Sequence, residues 1–379
     1  MSSSHLFLQN KSLHPHFAAM QDSLFDDPPG SDPDPSVAAA AAVPPERARS
    51  PRTPGTKTQK EVRAAAPDPT HETLACTLPP GLWLGTSSWA YPGWAGIVWE
   101  GDYNESLLSK QGLSAYSRHP LFRTVSIDRS FYRPLSASQY AAYAAQVPDD
   151  FRFVVKAPSL VADAMVRDEA GRGQKANPAF LDPLLASQQF LQPAIEGLGH
   201  KIGALVFQLS PLPASMLAQL PAVLERLRRM LNALPSLRPV APDGVVAVEV
   251  RNPEFLTPVF ASVLREAGAT YCLGLHPKLP SIELQLPVLR ALWPGPMVCR
   301  WNLNRMHGSY GYEEARSLYS PYNQLVDPDL ETREALARVI VGTTGAGHPA
   351  YVTANNKAEG SAPLTVLELA RAVERLQSR

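Results

Sequence analysis

The chain has 379 residues, 45% of them hydrophobic, and a formal net charge of zero from 35 Lys+Arg against 35 Asp+Glu. That length holds one large domain or two ordinary ones, and the composition supplies a sizeable core. The charge balance argues against nucleic acid or an anionic membrane as the main partner, and no run approaches the ~18 uninterrupted apolar residues of a membrane span.

Residues 1–77 differ in material from the rest. They are rich in Pro, Ala, Ser and charge, as in Asp26-Asp27-Pro28-Pro29 and Pro51-Arg52-Thr53-Pro54-Gly55. Such a stretch buries too little apolar surface to offset chain entropy, so a disordered N-terminal tail is expected, with one short amphipathic piece over 6–25. No basic segment leads into a long apolar one after Met1, and Asp22, Asp26 and Asp27 arrive early, which speaks against a signal or transit peptide. Cys76, Cys272 and Cys299 make neither a disulfide framework nor a metal-ligand spacing, so a cytoplasmic location is expected.

From residue 78 to 379 strands and helices alternate. Strands are expected at 82–86, 123–128, 151–156, 202–208, 245–251, 270–275, 297–301 and 350–353. Helices are expected at 106–117, 136–146, 180–191, 215–234, 258–267, 331–341 and 364–376, with a weaker one over 282–292. The clearest, 215–234, places Leu217, Leu220, Leu224, Leu227 and Leu231 at helical spacing. A long insertion, 157–177, follows the third strand. Eight strand–helix alternations in about 300 residues fit an α/β, single-domain (β/α)8 barrel of the TIM type. An open doubly wound sheet is the alternative, and no dinucleotide fingerprint supports it.

The strands are apolar along their bodies and polar at their ends. The tails read Ser87-Ser88, Asp128, Lys156, Gln208, Glu249 with Arg251, His276, Arg300 with Asn302, and Asn355-Asn356. In a parallel barrel those ends meet at one mouth, which is where chemistry is expected. Glu249 and Arg251 lie two apart and share a face, as an acid–base residue beside an anion-binding fork or as a structural ion pair. Lys156 suits an anion contact, a Schiff base, or neutralisation of Glu249 or Asp128. Asp128, followed by Ser130, Phe131 and Tyr132, suits proton transfer or hydroxyl recognition, or else a turn packed by aromatics.

Trp89, Tyr91 and Trp94 could stack on a substrate or simply pack a loop. His276 and His307 lie near strand ends, but their spacing predicts no metal site. Asn355, Asn356 and Lys357 offer amide and ammonium contacts, with Asn356 alternatively capping the next turn. The run Gly342-Thr343-Thr344-Gly345-Ala346-Gly347 reads as a turn before the last strand, at the wrong end for phosphate.

Several of these segments resemble one family. Gly85-Thr86-Ser87-Ser88-Trp89-Ala90-Tyr91-Pro92-Gly93-Trp94 is similar to its opening motif, and Val125 to Tyr132 to its second-strand motif. Phe151 to Pro158, Glu249-Val250-Arg251-Asn252 and Asn355-Asn356 follow in the same order. This is the YecE-like family, domain of unknown function 72. The resemblance implies a TIM-barrel-like fold and carries no activity with it. The chain departs from the pattern at Ser126 and Asp128, where the family has Glu and Asn, and at Ala354, where it has Phe. The family's arginine after the seventh strand aligns with either Arg300 or Arg305.

The function expected is a metal-independent, cofactor-free enzyme acting on a small polar substrate, anionic or sugar-like. Glu249, Asp128 and Lys156 are the catalytic candidates. Trp89, Tyr91, Tyr132, Arg251, Arg300, His276, Asn355 and Asn356 are the substrate-binding candidates. The alternatives are nucleic-acid processing, by analogy with abasic-site nucleases of this fold, and a non-catalytic binding or scaffold role.

Overall fold

Eight parallel strands close on themselves in the computed structural model, which describes residues 61–168 and 172–378. They are β1 Leu82–Thr86, β2 Thr124–Ile127, β3 Arg152–Lys156, β4 Ile202–Gln208, β5 Val245–Glu249, β6 Thr270–Leu275, β7 Met297–Trp301 and β8 Ala350–Ala354. Each pairs with the next, and β8 pairs back onto β1, as Gly85↔Thr353 shows. The fold is the expected (β/α)8 barrel, with helices covering its outer face. Among the described residues no helix is long and apolar enough to cross a membrane.

Alternation along each strand sorts the barrel interior into layers. Trp83 and Tyr351 stack at 5.0 Å near the strand starts, with the Arg123 guanidinium 5.0 Å over the Trp83 ring. Val154, Val206, Ala247, Cys272 and Val298 fill the middle. Two residues further along the same faces stand Lys156, Gln208, Glu249, Gly274 and Arg300, so the interior turns polar only in its last layer. The approach of β1 to β2 depends on Gly85, where a Cβ would lie 1.8 Å from the Thr124 carbonyl oxygen.

Prolines move several helix boundaries. The expected helix 215–234 is two, Ala214–Leu217 and Leu220–Ala233, because Pro221 has no N–H to give and takes the first turn of the second. The expected helix 180–191 starts after the Asp182 cap and runs on to Leu198, passing through a π-helical turn, Ser187–Leu191, just before Pro193. The glycine-rich run at 342–347 is no turn: helix Leu330–Gly345 continues through Gly342 and Gly345, and the chain bends only at Gly347, with φ +79°.

The expected boundary at residue 77 is too late. Ala65 N–H donates to the Val98 carbonyl, Asp68 caps helix Pro69–Thr77, and Val62 and Leu74 are buried. The Asp-Pro-Thr start of that helix is an N-cap signal hidden inside a proline-rich stretch. Residues 1–60, including the amphipathic piece over 6–25, lie outside the described residues.

Two loop structures were not expected. The insertion after β3 holds helix Ser159–Ala162 and an antiparallel hairpin, Met165–Arg167 against Gly173–Ala176. The loop after β7 carries helix Tyr312–Tyr319 over a small core of Leu303, Ala315 and Tyr319. The Tyr319 hydroxyl fixes this loop, meeting His307 Nε2 at 2.7 Å and donating to Asp327 at 2.7 Å.

Candidate functional site at the barrel mouth

The last interior layer is a connected ion network. Glu249, fully buried, lies in ion-pair contact with Arg251 Nη1 at 2.5 Å on one oxygen and accepts from Arg300 Nη1 at 2.7 Å on the other. Gln208 Oε1 accepts from both arginines, at 3.1 and 2.8 Å. Arg300 Nη2 grips both oxygens of Asp128, at 2.8 and 2.6 Å, and the Ser126 hydroxyl donates to the same carboxylate at 2.6 Å. These contacts span β2, β4, β5 and β7, so the network ties opposite sides of the barrel together.

Electrostatics assign the members different characters. Burial opposes charge on Glu249, but Arg251 and then Arg300 outweigh it and hold the carboxyl below its ordinary range. Burial likewise opposes charge on Arg300, and Asp128 with Glu249 overcomes it, keeping that guanidinium firmly charged. Glu249 therefore stands as the counter-ion of two arginines, the structural half of the two roles its sequence position allows. Asp128, with 31% of its side chain exposed, is the carboxylate that faces the mouth.

Lys156 is the exception to this pairing. It ends β3, is 9% exposed, and its Nζ lies 3.5 Å from the Phe131 ring centroid. Both mouth carboxylates are engaged with arginines, and among the described residues none forms an ion pair with this lysine. Burial, resisted by Asp128 and Glu249 but reinforced by Arg300 and Arg251, brings its pKa down from the usual lysine range to about 7. Phe131 is held by a short 3-10 turn, Arg129–Phe131, at the end of β2. Ser130 does not serve the site as a free hydroxyl, because it staples that turn to the Lys156 carbonyl at 2.6 Å.

A second group of donors gathers near Arg251. His276 Nδ1 accepts from the Lys278 N–H at 3.1 Å, so the neutral ring carries its proton on Nε2. Burial, with Arg251 and Lys278 adding to it, lowers the His276 pKa to about 3, which keeps the ring neutral at ordinary pH. Burial lowers the Lys278 pKa as well, and Arg251 and Arg167 act in the same direction. Lys156, His276 and Lys278 thus all sense the Arg251 charge, and a small anion there would meet several donors at once.

The remaining candidates divide. Tyr91 belongs to the mouth: its ring lies 4.9 Å from Trp94 and 5.5 Å from Tyr322, and burial, with Tyr312, Tyr322 and Asp128 nearby, raises its pKa. Tyr132 is a rim residue, 48% exposed beside Phe131. Arg300 is the arginine that reaches the mouth. Arg305 instead donates to the Leu279 carbonyl at 2.7 Å.

Three expected substrate contacts turn out to hold the backbone or the core. Trp89 is buried, with its indole N–H on the Leu108 carbonyl at 3.1 Å and its ring edge-on to Tyr143. Asn356 is buried and accepts from Trp94 Nε1 at 3.2 Å and from the Ala362 N–H at 2.8 Å, so it caps the last helix. Asn355 Oδ1 accepts from the Lys357 N–H at 3.0 Å and shapes the same turn.

Other participants carry a weak sequence signal or none. Gln208, the hub between the arginines, is legible as the polar end of an apolar run. Tyr312 and Tyr322 lie in the long loop after β7, where no periodicity marks them. They flank Lys357, whose Nζ sits 4.1 and 5.6 Å from their ring centroids. A cleft of about 510 Å³ between helices Ile282–Ala291 and Leu330–Gly345 opens at the other end of the barrel, beside Thr270 and Met297, and gathers none of the candidates.

The model of a family described as "Protein of unknown function DUF72" matches residues 83–379. Among solved structures, a DUF72 family protein from Enterococcus faecalis V583 is similar at 18% identity and TM-score 0.50, covering 77% of this chain and 95% of that one. Another from Thermotoga maritima MSB8 is similar at 20% identity and TM-score 0.48, covering 79% and 99%. No curated protein matches the chain.

Proposed function

This chain belongs to the DUF72 family of proteins of unknown function, and on that premise we propose that its barrel mouth binds a small polar anion and carries out acid–base chemistry on it. The supporting observation is the pattern of pairing. Among the described residues the ion-pair partners of Arg251 and Arg300 are Asp128 and Glu249, and neither carboxylate pairs with Lys156. One enclosed ammonium therefore lacks a counter-ion, and the Nε2–H of His276 and the Lys278 ammonium lie in the same field. A carboxylate or phosphate supplies the missing charge.

Within this reading Arg300 does not touch substrate. Its two Nη groups are engaged by Gln208, Glu249 and Asp128, and its part is to orient the Asp128 carboxylate. Lys156 titrates near neutral pH, where a group exchanges protons with a substrate most effectively. Tyr91 and Tyr312 sense the Asp128 charge and would close over the polar end of a bound molecule.

Calorimetric titration of the full chain with inorganic phosphate, small carboxylates, sugar phosphates and short abasic DNA tests the reading. Saturable binding of one small anion, weakened at least tenfold by Arg251→Met and a few-fold by Lys278→Met, is expected. Lys278 is half-buried at the rim, so its replacement does not endanger folding. Binding of DNA but of no small anion would transfer the mouth to the nucleic-acid reading. Binding of neither would end the anion proposal.

A further inference from the structure

A buried lysine with a structural task has its ammonium satisfied. Lys201, as enclosed as Lys156, donates Nζ to the carbonyls of Ala144 at 2.9 Å and Val147 at 2.8 Å, closing the end of a helix. Lys357 lies between the rings of Tyr312 and Tyr322. Lys156 has one aromatic face at Phe131 and, among the described residues, no hydrogen-bond or ion-pair partner for Nζ. Its backbone is fixed at both ends of the peptide: Ser130 holds the carbonyl, and the Ala157 N–H donates to Val206 at 2.8 Å. The amine is thus a positioned primary amine inside a mouth whose two arginines are already paired with carboxylates.

We propose that Lys156 is a carbonyl-reactive nucleophile, and that the substrate is a small aldehyde or ketone bearing a carboxylate or phosphate, its anionic end on the Arg251–Lys278–His276 side and its carbonyl at Lys156 Nζ. This inference rests on the anion reading above and adds the substrate's reacting group. Acid–base work needs only a proton on Nζ; the missing partner also leaves the nitrogen lone pair unobstructed once that proton is gone. Burial, with Arg300 and Arg251 nearby, disfavours the charged amine and outweighs the opposing pull of Asp128, Glu249 and the Phe131 ring face, and desolvation beside other cations is the condition that makes a lysine nucleophilic.

The chemistry balances without a co-reactant. The neutral amine adds its lone pair to the carbonyl carbon, and the C=O π pair moves to oxygen. The nitrogen gives up a proton and that oxygen takes one, giving the neutral carbinolamine. A second proton lets it leave as water while the nitrogen lone pair forms C=N. Summed from the ammonium, R–NH3+ and O=C give R–NH+=C and one water, with charge conserved. Asp128 exerts the largest pull of the charges around Lys156, and its exposed oxygens make it the carboxylate placed to relay those protons.

Borohydride trapping reads the step directly. The full chain is incubated separately with glyoxylate, glycolaldehyde phosphate and the uncharged control glycolaldehyde, reduced with borohydride, digested and mapped by mass. One dominant secondary-amine adduct on Lys156 is expected, at least tenfold above any exposed lysine such as Lys110 or Lys175. It should be suppressed by inorganic phosphate, weak with the uncharged aldehyde, and absent in Lys156→Arg. Stronger trapping by glyoxylate or by the phosphate ester tells which anion the mouth prefers. Adducts spread over surface lysines with Lys156 unmodified would overturn the inference. Phosphate titration separates the two failures: anion binding without an adduct removes only the covalent step, whereas no anion binding removes the reading beneath it. Phosphate binding retained by Lys156→Arg shows that loss of its adduct is not loss of fold.

Discussion

Lys156 sets a pH signature that its neighbours do not share. Its pKa in the folded chain is about 7, against the ordinary lysine value near 10.4 in the unfolded chain. Below pH 7 both states carry the charge, and the fold bears the full cost of an enclosed ammonium. Between about pH 7 and 10 the unfolded chain binds the extra proton, so this residue's contribution to stability improves as pH rises. Lys156→Met removes the cost. Its stabilising effect is therefore expected to be larger at pH 6 than at pH 9.5, by roughly 2–4 kcal/mol, since each pKa unit is worth about 1.4 kcal/mol. Urea melts of both proteins at the two pH values check this, and the difference between proteins cancels other titrating groups. An equal gain at both pH values would mean that the lysine finds a counter-charge in solution.

Two elements outside the barrel strands take their stability from contacts that the sequence shows poorly. The last helix, Ala362–Gln377, has no side-chain cap from its own Ser361; Asn356 reaches across the turn to the Ala362 N–H and also receives the Trp94 indole. Asn356→Ala strands both donors, and a loss of about 1–3 kcal/mol in denaturant melts is expected, with anion affinity unchanged. The arm of residues 62–77 covers this same helix region, with Leu74 buried and Thr77 bonded to Glu374 at 3.1 Å. A chain starting at Leu78 exposes what Val62 and Leu74 cover, so it should be less stable by about 3–6 kcal/mol than one starting at Val62. Equal melting midpoints for the two would make the arm dispensable.

These elements also mark where legibility ended. The barrel strands were readable because a buried parallel strand has one apolar signature, and the polar strand ends were readable because they interrupt it. Lys156, Gln208, Glu249 and Arg300 therefore stood out as one series. Asn356 did not reveal whether it faced ligand or backbone, since an amide at a strand end serves either, and Trp89 was ambiguous for the same reason. Tyr312 and Tyr322 sit in a long loop ordered by the contacts of Tyr319 with His307 and Asp327, which join residues far beyond any local period. The tail boundary was missed because proline-rich composition outweighed one short capping signal.

At the scale of the whole molecule, the interior has an apolar floor and a charged ceiling, and the two contribute to stability with opposite signs. Taking Glu249, Arg251 and Arg300 out of water costs several kcal/mol per ion, and their mutual contacts only return that cost. The network is then justified by what it does for Asp128 and Lys156 rather than by stability. Breaking it and replacing it should give opposite results. Glu249→Gln leaves two buried guanidiniums sharing a neutral amide, and a loss of about 3–5 kcal/mol is expected. Replacing Glu249, Arg251 and Arg300 together by Met removes the three charges of the ion network at once, leaves Lys156 facing Asp128, and extends the apolar layer of Val154, Val206, Ala247 and Val298 upward. Asp128, partly exposed, can be hydrated instead. That triple variant should be as stable as the natural chain, or more stable by up to about 4 kcal/mol, while small-anion binding at the mouth disappears. Urea melts and phosphate titration on the three proteins measure both halves. A triple variant that unfolds as readily as Glu249→Gln would show that the ion network holds the barrel closed, and would remove the argument that it is kept for the site.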